Sequence, residues 1–174
     1  MAFFTVHNQK EFDELAVSEY DEIVIDSNEK GCIEINFIPG HYGFVTIKKG
    51  EIILRGKMRA EAQGESQIIA LDETVVMATE NSRVIAKNNS RIKSFDTSKV
   101  IAYGSSNVDA RDESKVVAHS LSTVNAINKS KIIARGSSRI LAYGECHVTA
   151  FDAVIVERMS KDAKIEINDF ASLI

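Results

Sequence analysis

The sequence predicts an all-β chain wound as a parallel β-solenoid, with about 16 residues per rung, two main sheets and a short helix-containing N-terminal cap. Three observations predict it. From Gly50 to Ala153 an eight-residue unit repeats thirteen times without insertion or deletion. Two positions of the unit, spaced by two, are apolar almost throughout. The outward-facing positions alternate in character from one unit to the next, which doubles the period to 16.

The unit is read most easily in Ser82-Arg-Val84-Ile-Ala86-Lys-Asn-Asn, Ser90-Arg-Ile92-Lys-Ser94-Phe-Asp-Thr and Ser98-Lys-Val100-Ile-Ala102-Tyr-Gly-Ser. A strict short period means that each unit cannot bury its apolar face alone and must stack on its neighbours. Position three is Val or Ile in every octad except the one with Ala60, and position five is Ala in all but Leu54 and Ser94. A spacing of two puts both side chains on one face of a strand. A period of eight does not keep a helix face in phase. Position seven is Gly, Asp or Asn in eleven octads, with Glu80 and Ser120 as exceptions. Those residues tolerate positive φ and mark a turn, leaving about five residues of strand and three of turn. Two octads close a flat coil in which a large position-three side chain faces a small position-five one across a thin core. The Ser at position one is expected to point into the corner and hydrogen-bond turn backbone.

Positions two, four and six point outward. In alternate octads position four reads Ile53, Ile69, Ile85, Ile101, Val117, Ile133 and Thr149. In the others it reads Glu61, Met77, Lys93, Asp109, Asn125 and Leu141. Strand propensity would act equally on both faces, so the contiguous apolar ridge of the first set, the Ile face, is expected to be an interface. Its flanking position-two column contains Arg83, Lys99, Lys115 and Lys131, and Tyr103 stands in the position-six column. These residues are the candidates for anion binding, with Tyr103 available for stacking on a base. Cations on strands also serve simply to solvate an edge.

The ends are expected to carry caps, because an open solenoid exposes strand edges. Asn8 followed by Glu11 has the form of a capping box, predicting a helix from about Gln9 to Val17 with Phe12, Leu15 and Ala16 on one side. Asp21–Asp26, Cys32–Phe37 and Gly43–Lys48 are strand-like and Ile38-Pro39-Gly40-His41 is a turn, so residues 1–49 form a cap with irregular first rungs. After Ala153 the octad decays, Lys164–Ile167 alternates as a last strand, and Phe170, Leu173 and Ile174 are expected to pack over the final rung as part of a C-terminal cap at 154–174. The whole chain, 1–174, is read as a single domain.

Composition narrows the function classes. Hydrophobic residues make up 44%, the net charge is −4, and there is one proline. Two cysteines, Cys32 and Cys146, and no signal peptide or long apolar run predict a cytoplasmic protein without membrane spans. His119 and His147 lie two rungs apart, too far to share a metal, and Asp109 and Glu157 are three rungs apart, too far for paired acid–base chemistry. No catalytic residues, metal site or cofactor are therefore expected, and the chain is not expected to be an enzyme.

The octads Ser98-Lys-Val-Ile-Ala-Tyr-Gly-Ser and Ser138-Arg-Ile-Leu-Ala-Tyr-Gly-Glu resemble a loosely defined group of bacterial and phage β-solenoid proteins with runs of Ser-x-Val-x-Ala-x-(Gly/Asp)-Ser after a helix-containing cap. The resemblance covers residues 8–153 and implies the fold. That group has no common assigned activity, so it implies no functional residues. The expected role is a non-enzymatic structural or binding module that forms homo-oligomers through the Ile face. The alternatives are a phage- or mobile-element-encoded inhibitor docking on a host protein, and a nonspecific nucleic-acid or nucleotide binder that uses the Lys/Arg column.

Overall fold

The computed structural model describes residues 2–16, 21–29, 31–36 and 45–174. The first elements are β1 (Phe3–Val6), α1 (Gln9–Asp13), β2 (Glu22–Asp26), β3 (Cys32–Ile35) and β4 (Val45–Lys49). The octads then supply β5 (Glu51–Leu54), β6 (Arg59–Ala62), β7 (Gln67–Ala70), β8 (Val75–Ala78), β9 (Arg83–Ala86), β10 (Arg91–Ser94), β11 (Lys99–Ala102), β12 (Asn107–Ala110) and β13 (Lys115–Ala118). They continue as β14 (Thr123–Ala126), β15 (Lys131–Ala134), β16 (Arg139–Ala142), β17 (His147–Ala150), β18 (Ile155–Arg158), β19 (Lys164–Ile167) and β20 (Ser172–Leu173). Among the described residues, β1 and β2 pair in an eleven-stranded sheet and from β2 onward successive strands alternate between it and a nine-stranded sheet, every pair parallel. The Ile face belongs to the nine-stranded sheet.

The 16-residue rung is read directly from the pairing. Lys99 sits beside Lys115 and Ile101 beside Val117, and Ser94 sits beside Ala110 in the other sheet. Earlier pairings are irregular: Phe3 pairs with Glu22, Ile23 with Val45, and Cys32 with Glu51. Each octad contributes four strand residues, positions two to five, rather than about five. The chain leaves the sheet at position six, whose carbonyl accepts the N–H of the next position one, as Phe95 O does from Ser98 (3.1 Å). All thirteen position-seven residues have positive φ, from 53° at Asp96 to 75° at Gly56. Glu80 and Ser120 do so as well, so the repeat imposes the left-handed conformation even where the residue type does not favour it.

Positions three and five are buried along the repeat and join one core running the length of the solenoid. The position-one hydroxyls depart from expectation. Ser98, Ser122 and Ser138 do donate to the position-six carbonyl three residues back. The side-chain oxygens of Ser66, Thr74, Ser82, Ser90, Ser106, Ser114 and Ser130 are buried without a hydrogen-bond partner. The backbone N–H of Ser66, Thr74, Ser82, Ser90, Ser114 and Ser130 already donates to the turn carbonyl, so the corner is held without the hydroxyl.

At the N-terminal end the Asn8 side chain accepts from Glu11 N (2.9 Å). The Glu11 carboxylate in turn accepts from His7 N (2.8 Å). The helix stops at Asp13, short of the expected Val17; Glu14 N closes it on Lys10 O, and Leu15 N turns back to Phe12 O. Phe12 and Leu15 still pack against the core, while Ala16 is exposed. The expected turn at 38–41, and the outer ends of the strands expected at 32–37 and 43–48, fall outside the described residues.

The C-terminal end differs from the expectation. Phe170 is 90% exposed, Ile174 71% and Leu173 42%, so they do not cover the final rung. The octad itself continues instead. Val154 and Val156 are buried at positions one and three, and after a one-residue insertion Lys164 pairs with His147, 17 residues away. Asp169 then repeats the positive-φ turn at 54°.

Candidate docking face

In the nine-stranded sheet each strand from β5 to β17 is short and each rung repeats the last in register. Its outward side chains therefore form straight columns about 4.8 Å apart per rung. Arg83, Lys99, Lys115 and Lys131 stand in one such column, each beside the next. Ile53, Ile69, Ile85, Ile101, Val117 and Ile133 form the next outward column, with Ile101 36% and Ile133 44% exposed.

Between these two columns runs a trough of about 820 Å³. All six ridge residues line it, together with all four members of the basic column. Its floor is the backbone flank of position-three residues such as Val100 and Val116, and the aliphatic stems of Lys and Arg form one wall. Toward the N-terminal end the same column continues through Gln67, Glu51 and Cys32, which also line the trough. Burial pushes the Cys32 thiol up from its ordinary range, and the Glu51 carboxylate adds to the shift.

Tyr103 is not part of this trough. It lies across the ridge in the position-six column, stacked on His119 with ring centroids 4.9 Å apart and planes within 7°. The same column continues with Arg135 over the Phe151 ring at 4.6 Å. One face of Tyr103 is thus already covered, which weakens it as a platform for a base.

The sequence reading missed the corner beside the basic column. Position eight of the preceding octads lies next to position two in space, and Lys99, Lys115 and Lys131 share a depression with Thr97, Glu113 and Lys129. Glu113 relieves some of the crowding, but four cations against one carboxylate leave the depression positive. The residue types at position eight were visible; their proximity follows only once the turn is known to fold the chain back at position seven.

The opposite face pairs its polar groups internally. Asn125 donates to Asp109 (2.6 Å), Arg139 binds Glu157, and Arg111 lies over Phe95 at 5.8 Å. Asp109 and Glu157 are thus engaged separately and do not converge. Among the described residues no group of three or more His, Cys, Asp or Glu side chains could hold a metal ion, and no helix is long and apolar enough to cross a membrane.

No family model matches this chain. No curated protein and no solved structure matches it either.

Proposed function

We propose that this protein is a non-enzymatic binding module that docks an acidic, amphipathic segment of a partner protein along the Ile face. The observation that carries this reading is the trough: an apolar floor and ridge bordered along one side by a column of cations. Arg83, Lys99, Lys115 and Lys131 line the trough along one side, and Lys87 and Arg135 stand in the position-six column across the ridge. The four central rungs, β9 to β15 of this sheet, carry six Lys or Arg and no carboxylate at their outward positions. Along seven strands, from β3 to β15, the trough runs about 29 Å, the length of about 19 residues of α-helix. A helix with an apolar stripe flanked by Glu or Asp satisfies both parts of the surface at once.

Charge decides against the simplest alternative, two copies meeting through this same face. Such a pairing brings two sets of six cations together. Each pair about 7 Å apart costs about 0.6 kcal/mol even at the dielectric of water, and more once desolvated. The nucleic-acid reading is weaker for a different reason: Tyr103 lies on the far side of the ridge from the Lys column and is already stacked.

The test uses a labelled 20-residue amphipathic peptide with a Leu stripe flanked by Glu, and its twin with Lys in place of Glu. Fluorescence anisotropy should show saturable binding of the Glu peptide and none of the Lys peptide. The Ile101→Lys/Ile133→Lys variant should retain its fold and lose that binding. Labelled single- and double-stranded DNA and RNA are titrated alongside at moderate salt. Preference for nucleic acid over the Glu peptide would overturn the reading in favour of a polyanion binder. Absence of Glu-peptide binding would overturn the proposed docking mode.

A further inference from the structure

The two ends of the solenoid are treated differently. At the N-terminal end the outer edge of β3 is engaged by one side chain. Gln9 accepts from Glu34 N through its carbonyl oxygen (2.7 Å) and donates from its amide nitrogen to Glu34 O (3.2 Å). That amide satisfies the edge as a further strand would. Phe12 and Leu15 pack against the core beside it.

At the C-terminal end β19 is the outermost strand of the nine-stranded sheet among the described residues. Lys164 N and Asn168 N donate inward, to Cys146 O and Ala150 O. In a parallel ladder the alternate residues face the other neighbour, so the N–H and C=O groups of Ile165 and Ile167 point away from the sheet. Ile167, Phe170 and Ile174 are exposed at this same end. An unpaired edge beside exposed apolar side chains is a template for another strand.

We propose that this edge pairs with β19 of a second copy, tail to tail, in an antiparallel dimer that continues the nine-stranded sheet across the junction. The strand is self-complementary. Centring the pair on Ile165 places Ile165 opposite Ile165 and Lys164 opposite Glu166, twice by symmetry. These are the outward pairs whose side chains approach closely in an antiparallel ladder. Moving the centre to Glu166 sets Glu166 against itself, so charge selects the first register. Lys164 has no carboxylate within ion-pair distance among the described residues, and Glu166 has only the Thr149 hydroxyl (3.5 Å). Both charged ends are therefore available. Because Gln9 blocks β3, head-to-tail growth of this sheet is disfavoured, and the isologous contact closes at two copies.

The test is a charge swap read by sedimentation equilibrium. The wild-type chain should be a dimer at tens of micromolar. Lys164→Glu and Glu166→Lys should each weaken the dimer about tenfold or more, because each replaces two attractive pairs with two repulsive ones. The double variant Lys164→Glu/Glu166→Lys should restore it. All three should keep the wild-type far-UV circular dichroism spectrum, since both positions are exposed. The Ile101→Lys/Ile133→Lys variant should remain dimeric, which separates this contact from the Ile face. A monomeric wild type overturns the proposal. So does a dimer indifferent to the single reversals, or single-variant monomers that the swap does not rescue.

Discussion

Replacing Ala118 by Leu probes the thin core where it is most constrained. Ala118 is fully buried and stacks in register between Ala102 and Ala134 in the neighbouring rungs. Those rungs are fixed about 4.8 Å away by backbone hydrogen bonds, such as His119 N to Ala102 O (2.8 Å), so they cannot part to admit an isobutyl group. Above and below stand two more methyls; across the core stand the β-branched side chains of the other sheet. Overpacking of this kind costs about 1–3 kcal/mol. For a chain of this size each kcal/mol lowers Tm by about 2–4 °C, so the expected drop is about 2–12 °C. Val117→Leu, one residue away on the outward face, serves as the control and should stay within about 0.5 kcal/mol of wild type. Thermal melts followed by circular dichroism read both. An Ala118→Leu protein that melts with the wild type would refute the inward assignment of position five and the two-octad rung built on it.

Other consequences follow from the corners and the thiols. Ser98 donates to Phe95 O and meets the Ser94 hydroxyl at 2.7 Å, whereas Ser114 makes no side-chain hydrogen bond. Ser98→Ala should therefore cost about 1 kcal/mol in urea denaturation, and Ser114→Ala should be neutral or stabilising. At Gly104, φ is +67° and an added Cβ would lie 3.1 Å from Asn88 N. Asn88 and Ser120 occupy the equivalent corners of the neighbouring rungs at φ 58° and 60°, so Gly104→Asn should be mild, while β-branched Gly104→Val should cost about 1–3 kcal/mol by the same measurement. Cys146 is buried and its thiol is pushed up by that burial; Cys32 is exposed. A maleimide-type reagent at pH 8 should label one thiol per chain in the native state and the second only on unfolding. Raised pKa values keep both thiols protonated to higher pH, so native labelling of Cys32 should be slower than that of free cysteine.

Much of the fold was legible because the repeat over-determines it. A Val/Ile and an Ala two residues apart define an inward face, and Ile85-Ile101-Val117 set against Lys93-Asp109-Asn125 reveals that octads alternate between two sheets. What the octad could not convey lies where it breaks. The one-residue insertion before Ala163 hides a further octad behind a phase shift, so Lys164–Ile167 was legible as a strand but not as part of an octad, and the turn at Asp169 was not seen. Phe170 and Ile174 look like capping residues by hydrophobicity alone, yet nothing in sequence order says which way they point. At the candidate site, the ridge and the basic column were visible from spacing. The trough between them was not, because it depends on Lys and Arg stems standing upright beside the Ile column. Glu113 was missed because it sits in the turn after Asp112, and only when that turn is built does it come beside the Lys column.

The central claim is that an apolar trough with a cationic border selects an acidic amphipathic segment. The most direct measurement is the exchange of peptide preference in the Lys99→Glu/Lys115→Glu/Lys131→Glu variant, whose substituted side chains are exposed and leave the strand ladder intact. Wild type should bind the Glu-flanked peptide and reject the Lys-flanked one, with affinity falling as salt rises. The triple variant should lose the first and gain the second. Unchanged binding of the Glu-flanked peptide by the triple variant would contradict the account.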